Sequence, residues 1–100
     1  MKKNIELIFN RTCRAYPEQY DVYIGERYIA YVRLRSGRLT VCPIGKDNEP
    51  EFDNYTIVKD WKNDPLKGSF DSEEERQEYI GKIKKIILNG QLRKQEQPND

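Results

Sequence analysis

The first half of the chain alternates apolar and polar residues with a period of two, which is typical of β-strands with one buried face. Four stretches show this pattern, with apolar positions at Ile5, Leu7 and Phe9; Tyr20, Val22 and Ile24; Tyr28, Ala30, Val32 and Leu34; and Leu39 and Val41. A further apolar stretch, residues 55–58, follows an acidic loop at residues 45–53 and predicts an edge strand. The sequence therefore predicts four or five strands.

The turn at Ser36-Gly37 predicts how two of these strands pair. Glycine adopts the positive φ that a two-residue hairpin loop needs. A loop of this length pairs Arg35 with Arg38 and sets Leu34 opposite Leu39. The apolar faces of the two strands then coincide, so turn chemistry and hydrophobic pattern predict the same register.

The preceding hairpin allows two registers. A two-residue loop at residues 25–26 would turn Asp21 toward the core, whereas a three-residue loop at residues 25–27 pairs Ile24 with Tyr28 and Val22 with Ala30. We predict the three-residue loop, because it keeps the charged side chain out of the core.

Residues 71–89 change to a helical period, with an apolar stripe at Tyr79, Ile80, Ile83, Ile86 and Ile87. Asp71 or Ser72 is the expected N-cap, and Asn89-Gly90 is the expected end. An isolated helix of this length is only marginally stable in water, so the helix of this protein should pack on the sheet. The predicted fold class is α+β: an antiparallel β-meander of four or five strands with one C-terminal α-helix packed on one face. We predict a single domain at residues 1–92 and a disordered polar tail at residues 93–100.

The amino-acid composition excludes several classes of function. The 100 residues include no histidine, which excludes serine–histidine and cysteine–histidine catalysis. Two cysteines without a CxxC motif predict free thiols in a reducing cytoplasm, and no apolar run approaches a membrane span. The acidic loop lacks the ligand spacing of a calcium site and is predicted to be solvated. Trp61 is interpreted as a cap on one end of the core. We predict that the protein is not an enzyme and that it binds no metal and no cofactor.

Charged residues are unevenly distributed along the chain, although the net charge is only +1. Residues 11–46 hold seven basic and three acidic residues, whereas residues 47–64 hold six acidic and two basic residues. The sheet face away from the helix should expose a mixed set of side chains: Tyr23, Ile29, Tyr31, Arg33, Arg35, Arg38, Thr40 and Cys42.

The candidate binding residues on this face are Tyr23, Tyr31, Arg33, Arg35 and Arg38. Tyrosine and arginine are frequent anchors of protein interfaces, and they also stack on bases and contact phosphates. The low net charge disfavours an extended nucleic-acid tract but not a pocket for one nucleotide. A plain solvated face without a ligand is the third interpretation.

The order of several motifs resembles a family of small uncharacterised proteins from phages and mobile elements. The motifs are residues 11–23, the segment Ala30 to Gly37, the tripeptide Gly68-Ser69-Phe70 and the pair Glu75-Arg76. Ser36 stands where the family pattern has histidine, and residues 45–53 replace a shorter link. The resemblance implies a phage or prophage origin and a bacterial cytoplasmic location, and it implies no activity.

These observations lead to a functional hypothesis. The protein is expected to be a non-enzymatic interaction module that binds a host or defence protein through its open Tyr/Arg face, as an anti-defence inhibitor would. The alternative is a small nucleic-acid or nucleotide-binding domain that uses the same face. A homodimer closed through sheet faces or edges is a further alternative.

Overall fold

The strands pair in the order in which they follow one another along the chain. The computed structural model describes residues 6–13 and 16–90, and contains β1 (Ile8–Arg11), β2 (Glu18–Ile24), β3 (Arg27–Arg35), β4 (Arg38–Pro43), β5 (Thr56–Asp60) and α1 (Glu73–Leu88). The five strands form one antiparallel sheet in the order β1-β2-β3-β4-β5. The predicted α+β meander with a C-terminal helix is therefore confirmed. The predicted tail at residues 93–100 lies outside the described residues.

The hairpin between β3 and β4 has the predicted register, with Arg35 opposite Arg38 and Leu34 opposite Leu39. Its two turn residues, Ser36 and Gly37, have φ values of 54° and 77°. The Gly37 amide donates to the Lys67 carbonyl oxygen at 2.9 Å, and the Trp61 amide donates to the Gly37 carbonyl oxygen at 2.7 Å. A Cβ atom at Gly37 would lie 2.7 Å from the Asp64 carbonyl oxygen, so only glycine fits here.

The hairpin between β2 and β3 differs from the prediction. Its loop has two residues, so that Ile24 pairs with Arg27 and Tyr23 pairs with Tyr28. A β-bulge then restores the predicted pairing of Val22 with Ala30 by leaving Ile29 unpaired. The predicted three-residue loop and the Ile24–Tyr28 pair are therefore wrong.

The bulge exchanges the faces of two side chains. Ile29 packs against the core, although it was predicted on the open face. The Tyr28 hydroxyl, predicted on the core side, donates to Asp21 Oδ1 at 2.7 Å, and its ring stacks on Tyr23 at 5.3 Å. One extra residue reverses the alternation between the bulge and the turn, which is the physical reason for both changes.

The core lies between the sheet and α1. The sheet contributes Val22, Ala30, Val32, Leu34, Leu39 and Val41, and the helix contributes Ile80 and Ile83. Ser72 is the N-cap and accepts a hydrogen bond from the Glu75 amide at 3.0 Å, as predicted. Trp61 closes one end of the core, with its ring edge-on to Phe70 and Tyr79.

One carboxylate is buried inside this core. Glu18 is 0% exposed and accepts hydrogen bonds from the Tyr20 hydroxyl, from the Phe70 amide at 3.1 Å and from Arg76 Nε at 2.6 Å. Arg11 Nη2 lies 3.7 Å away. Burial alone would raise the pKa of Glu18, but the hydrogen bonds from Arg76, Tyr20 and the Phe70 amide hold this pKa below its ordinary value. The ionised carboxylate joins β1 and β2 to the helix.

Candidate functional site

The sheet face away from the helix holds a cavity of about 560 Å³. We call it the arginine cavity, and its lining residues are Tyr31, Arg33, Arg35, Ser36, Arg38, Thr40, Cys42, Phe52 and Tyr55. Two neighbouring strands and their turn supply seven of these residues, and the loop between β4 and β5 supplies Phe52 and Tyr55.

Strand geometry explains why these side chains converge. Successive side chains of a strand point to opposite faces, so alternate positions of β3 share one face. The register sets Tyr31 opposite Cys42 and Arg33 opposite Thr40. Each cross-strand pair therefore presents both of its side chains to the same side of the sheet.

Four of the five residues predicted to bind a partner line this cavity: Tyr31, Arg33, Arg35 and Arg38. The fifth, Tyr23, is not among the lining residues and stacks instead on Tyr28. The structure therefore brings the three arginines together with one tyrosine, and places Tyr23 in a separate tyrosine pair.

In the described part of the chain, the arginines of the cavity have few carboxylate partners. Arg33 and Arg35 form no salt bridge with any carboxylate in the described part of the chain. Arg38 Nε lies 3.8 Å from Asp60 Oδ2 in an exposed pair, which contributes little to stability. Arg35 and Arg38 are directly opposite each other, and like charges in this position repel. An anion bound between them would reduce that repulsion.

Aromatic rings also line the cavity, next to the arginines. The Arg33 guanidinium lies 5.8 Å from the centre of the Phe52 ring, and Tyr31 meets the same ring edge-on at 5.7 Å. The Tyr31 hydroxyl donates to Gln19 Oε1, and burial raises the pKa of Tyr31, so the phenol stays protonated near neutral pH.

Sequence reasoning missed Phe52 and Tyr55. The segment that carries them was interpreted as a solvated connection and an edge strand, yet both rings line the cavity. Two aromatic residues close to an acidic loop are the signal that could have indicated a covered sheet face.

Cys42 was predicted on the open face but is only 4% exposed. The loop after β4 folds back at this point, with the Glu51 amide donating to the Pro43 carbonyl oxygen at 2.9 Å. Burial raises the pKa of Cys42 to about 11, so its thiol is protonated at neutral pH.

Within residues 6–13 and 16–90, no group of three or more Cys, Asp or Glu side chains could hold a metal ion. No helix in these ranges is long and apolar enough to cross a membrane. Searches with protein-family models, curated proteins and solved structures find no match to this chain.

Proposed function

We propose that this protein is a non-enzymatic interaction module that acts in a bacterial cytoplasm as a phage or prophage product. Its arginine cavity engages a host or defence protein and so inhibits it. The observation that supports this proposal best is the group of three arginines beside exposed aromatic rings. Two of these arginines, Arg33 and Arg35, have no carboxylate partner among the described residues.

The chemistry of the cavity suits an acidic protein surface. A guanidinium donates two parallel hydrogen bonds to a carboxylate, and these charge-assisted bonds are stronger than neutral ones. Arginine and tyrosine carry a large share of the binding energy in protein interfaces. Asp or Glu side chains of a partner would thus meet the guanidinium groups of Arg33 and Arg35, which form no salt bridge with the described carboxylates of this chain.

The titratable groups of the cavity support a binding role over a catalytic one. A general base should have a pKa near the working pH. Burial raises the pKa values of Tyr31 and Cys42 away from neutrality, the latter to about 11.

A nucleotide is the second candidate ligand, and the concave shape of the site favours it. A volume of about 560 Å³ falls in the range of roughly 300–1,000 Å³ that small-molecule sites occupy. The rings of Phe52 and Tyr55 are exposed and could stack on a base, while the arginines contact phosphate.

The test is affinity capture from bacterial lysate with three proteins: the wild type, the double variant Arg33→Glu/Arg35→Glu, and a control. Lys62→Glu/Lys84→Glu is the matched control, because it makes the same charge change at exposed positions outside the cavity. Each lysate is divided into nuclease-treated and untreated halves, and the eluates are analysed by mass spectrometry and nucleic-acid staining.

The proposal expects one stoichiometric protein that survives nuclease treatment and is lost only with the Arg33→Glu/Arg35→Glu variant. Equal capture by both variants would show that the partner binds elsewhere. Capture of nucleic acid alone, with an affinity that falls steeply as salt is raised, would favour the alternative. Empty eluates from the wild type would contradict the proposal.

A further inference from the structure

A second groove of about 380 Å³ lies beside the arginine cavity. We call it the proline groove, and its own lining residues are Tyr16, Pro17, Pro65, Leu66 and Gly68. Leu66 is 91% exposed and Tyr16 is 72% exposed, the two largest values among the exposed large hydrophobic residues of the described chain. The groove is apolar, in contrast to its neighbour.

The two concave sites are continuous at the tip of the β3–β4 hairpin. Arg35 and Ser36 line both of them. A ligand that contacts the Arg35 guanidinium from the cavity side is therefore adjacent to the proline groove, and a chain that extends past the hairpin tip reaches both.

Backbone contacts hold the walls of the proline groove in position. The hydrogen bond from the Gly37 amide to Lys67 fixes the hairpin tip against the segment that carries Leu66. The Lys67 side chain is buried, with Nζ 3.1 Å from Asp71 and 3.4 Å from Glu75. On the other side, the Glu18 amide donates to the Gly68 carbonyl oxygen at 2.8 Å. The exposed Leu66 thus projects from a segment anchored by hydrogen bonds and ion pairs.

We infer that the two sites together bind an extended peptide segment that combines acidic residues with one large apolar side chain. The carboxylates contact Arg33 and Arg35, and the apolar side chain packs on Leu66 and Tyr16 in the proline groove. This inference rests on the proposed function, and it names the chemistry of the protein partner.

The distribution of charge favours a peptide over a nucleotide as the occupant of the combined surface. Among the described residues that line the proline groove, Arg35 is the only charged one, so a phosphate backbone that extends past Arg35 would meet uncharged residues there. A peptide can supply an apolar side chain only a few residues from its carboxylates. Burial of such a side chain increases affinity by about tenfold or more.

The experiment starts with selection of a random 12-residue peptide display library on the full chain. The binding of an enriched peptide is then measured by fluorescence anisotropy for the wild type, Arg35→Glu, Leu66→Ser and Leu88→Ser. Leu88→Ser is the matched control, because this leucine is exposed at the end of α1 and lines neither site. Melting temperatures confirm that each variant is folded.

We expect peptides with two or more acidic residues next to one large apolar residue. Leu66→Ser should weaken binding about tenfold and Arg35→Glu about a hundredfold, whereas Leu88→Ser should leave it unchanged. Replacing the apolar residue of the peptide by serine should also cost about tenfold. This loss should disappear when Leu66 is already serine, because the two changes remove the same contact.

Two failures are distinguishable. Acidic peptides that show no apolar preference and ignore Leu66→Ser would overturn the inference and leave the proposed function standing. Enrichment without acidic residues, with no response to Arg35→Glu, would overturn both. Failure to enrich any peptide would overturn the inference.

Discussion

Two groups of arginines in this small protein have opposite surroundings. Arg11 and Arg76 flank the buried carboxylate of Glu18, whereas Arg33, Arg35 and Arg38 surround an open cavity. In the first group the buried Glu18 carboxylate pairs with both guanidinium groups, whereas in the second group the described residues provide one exposed pair, between Arg38 and Asp60. The comparison teaches that residue type alone does not separate arginines that are paired inside the fold from arginines that are left open to a ligand. The location of the counter-charge separates them.

The same difference appears in geometry. Arg76 Nε lies 2.6 Å from a Glu18 oxygen that is removed from water, and this hydrogen bond raises the pKa of Arg76 above its ordinary value. Arg38 Nε lies 3.8 Å from Asp60 at an exposed edge of the cavity. The first contact should be important for stability, and the second should contribute little.

The largest expected effect follows from removing the charge of the first group. Arg76→Met keeps an apolar stem near the Phe70 ring but leaves the buried Glu18 carboxylate with only the more distant Arg11, at 3.7 Å, as a cationic partner among the described residues. We expect the free energy of unfolding to fall by about 3–5 kcal/mol, measured by urea denaturation. Arg33→Met, the same substitution in the cavity, should change stability by less than about 0.5 kcal/mol.

A second substitution isolates the reason for this loss. Adding Glu18→Gln to Arg76→Met removes the buried negative charge that has lost its Arg76 partner, so the double variant should be more stable than Arg76→Met alone. Equal or greater destabilisation of the double variant would show that the Arg76 side chain acts through packing and not through its charge.

The next effect concerns the hairpin tip at which the arginine cavity and the proline groove meet. Gly37→Ala introduces a Cβ atom 2.7 Å from a backbone oxygen at a positive φ, so backbone must shift. We expect the free energy of unfolding to fall by about 2–4 kcal/mol, because the backbone is strained at this φ and nearby hydrogen bonds are disturbed. Gly25→Ala is the control, because its φ is also positive but nothing lies within 4 Å, and it should cost only about 1–2 kcal/mol. Equal losses at both glycines would contradict the importance of the close approach.

Acid should weaken the contacts of the first group through Glu18. The pKa of Glu18 is lower in the folded protein than its ordinary value of 4.5, so its stabilising effect is complete above that value and is lost as pH falls through the folded pKa. Urea denaturation between pH 6 and pH 3 should show a smaller acid-induced decline for Glu18→Gln than for the wild type. The exposed Glu74→Gln should keep the decline of the wild type, and parallel profiles for all three proteins would refute the role of Glu18.

The smallest expected effect is on the stability of the charge-reversed cavity. Arg33→Glu/Arg35→Glu removes the repulsion between Arg35 and Arg38 and breaks no described salt bridge, so the free energy of unfolding should change by less than about 1 kcal/mol. The melting temperature checks this directly. A loss of several kcal/mol would place these arginines among the structural charges.

The parts of the fold that could be predicted are those where two local signals coincide. At Ser36-Gly37, turn chemistry and strand alternation predict one register, and that register is present. The β2–β3 hairpin could not be predicted in full, because Tyr28 and Ile29 can each occupy either face. The alternation pattern therefore did not reveal the bulge at Ile29.

The candidate site was predictable to a similar extent. Alternation places Arg33 and Arg35 on one face, and the structure groups them in the cavity. Phe52 and Tyr55 join that cavity through the path of a loop, which no local rule determines. Glu18 could have been found, because it is two residues before Tyr20 and four before Val22 and so shares their buried face.

The identity of strand order and chain order has a consequence for how the protein folds. Every pair of hydrogen-bonded strands is also consecutive in the chain, so the sheet can grow by adding one neighbouring segment at a time. Such local closures cost less conformational entropy than distant ones, and low contact order is associated with fast folding. The Glu18–Arg76 contact spans 58 positions and cannot form until the helix docks. We therefore expect a meander that assembles early and a helix whose arrival completes the native state.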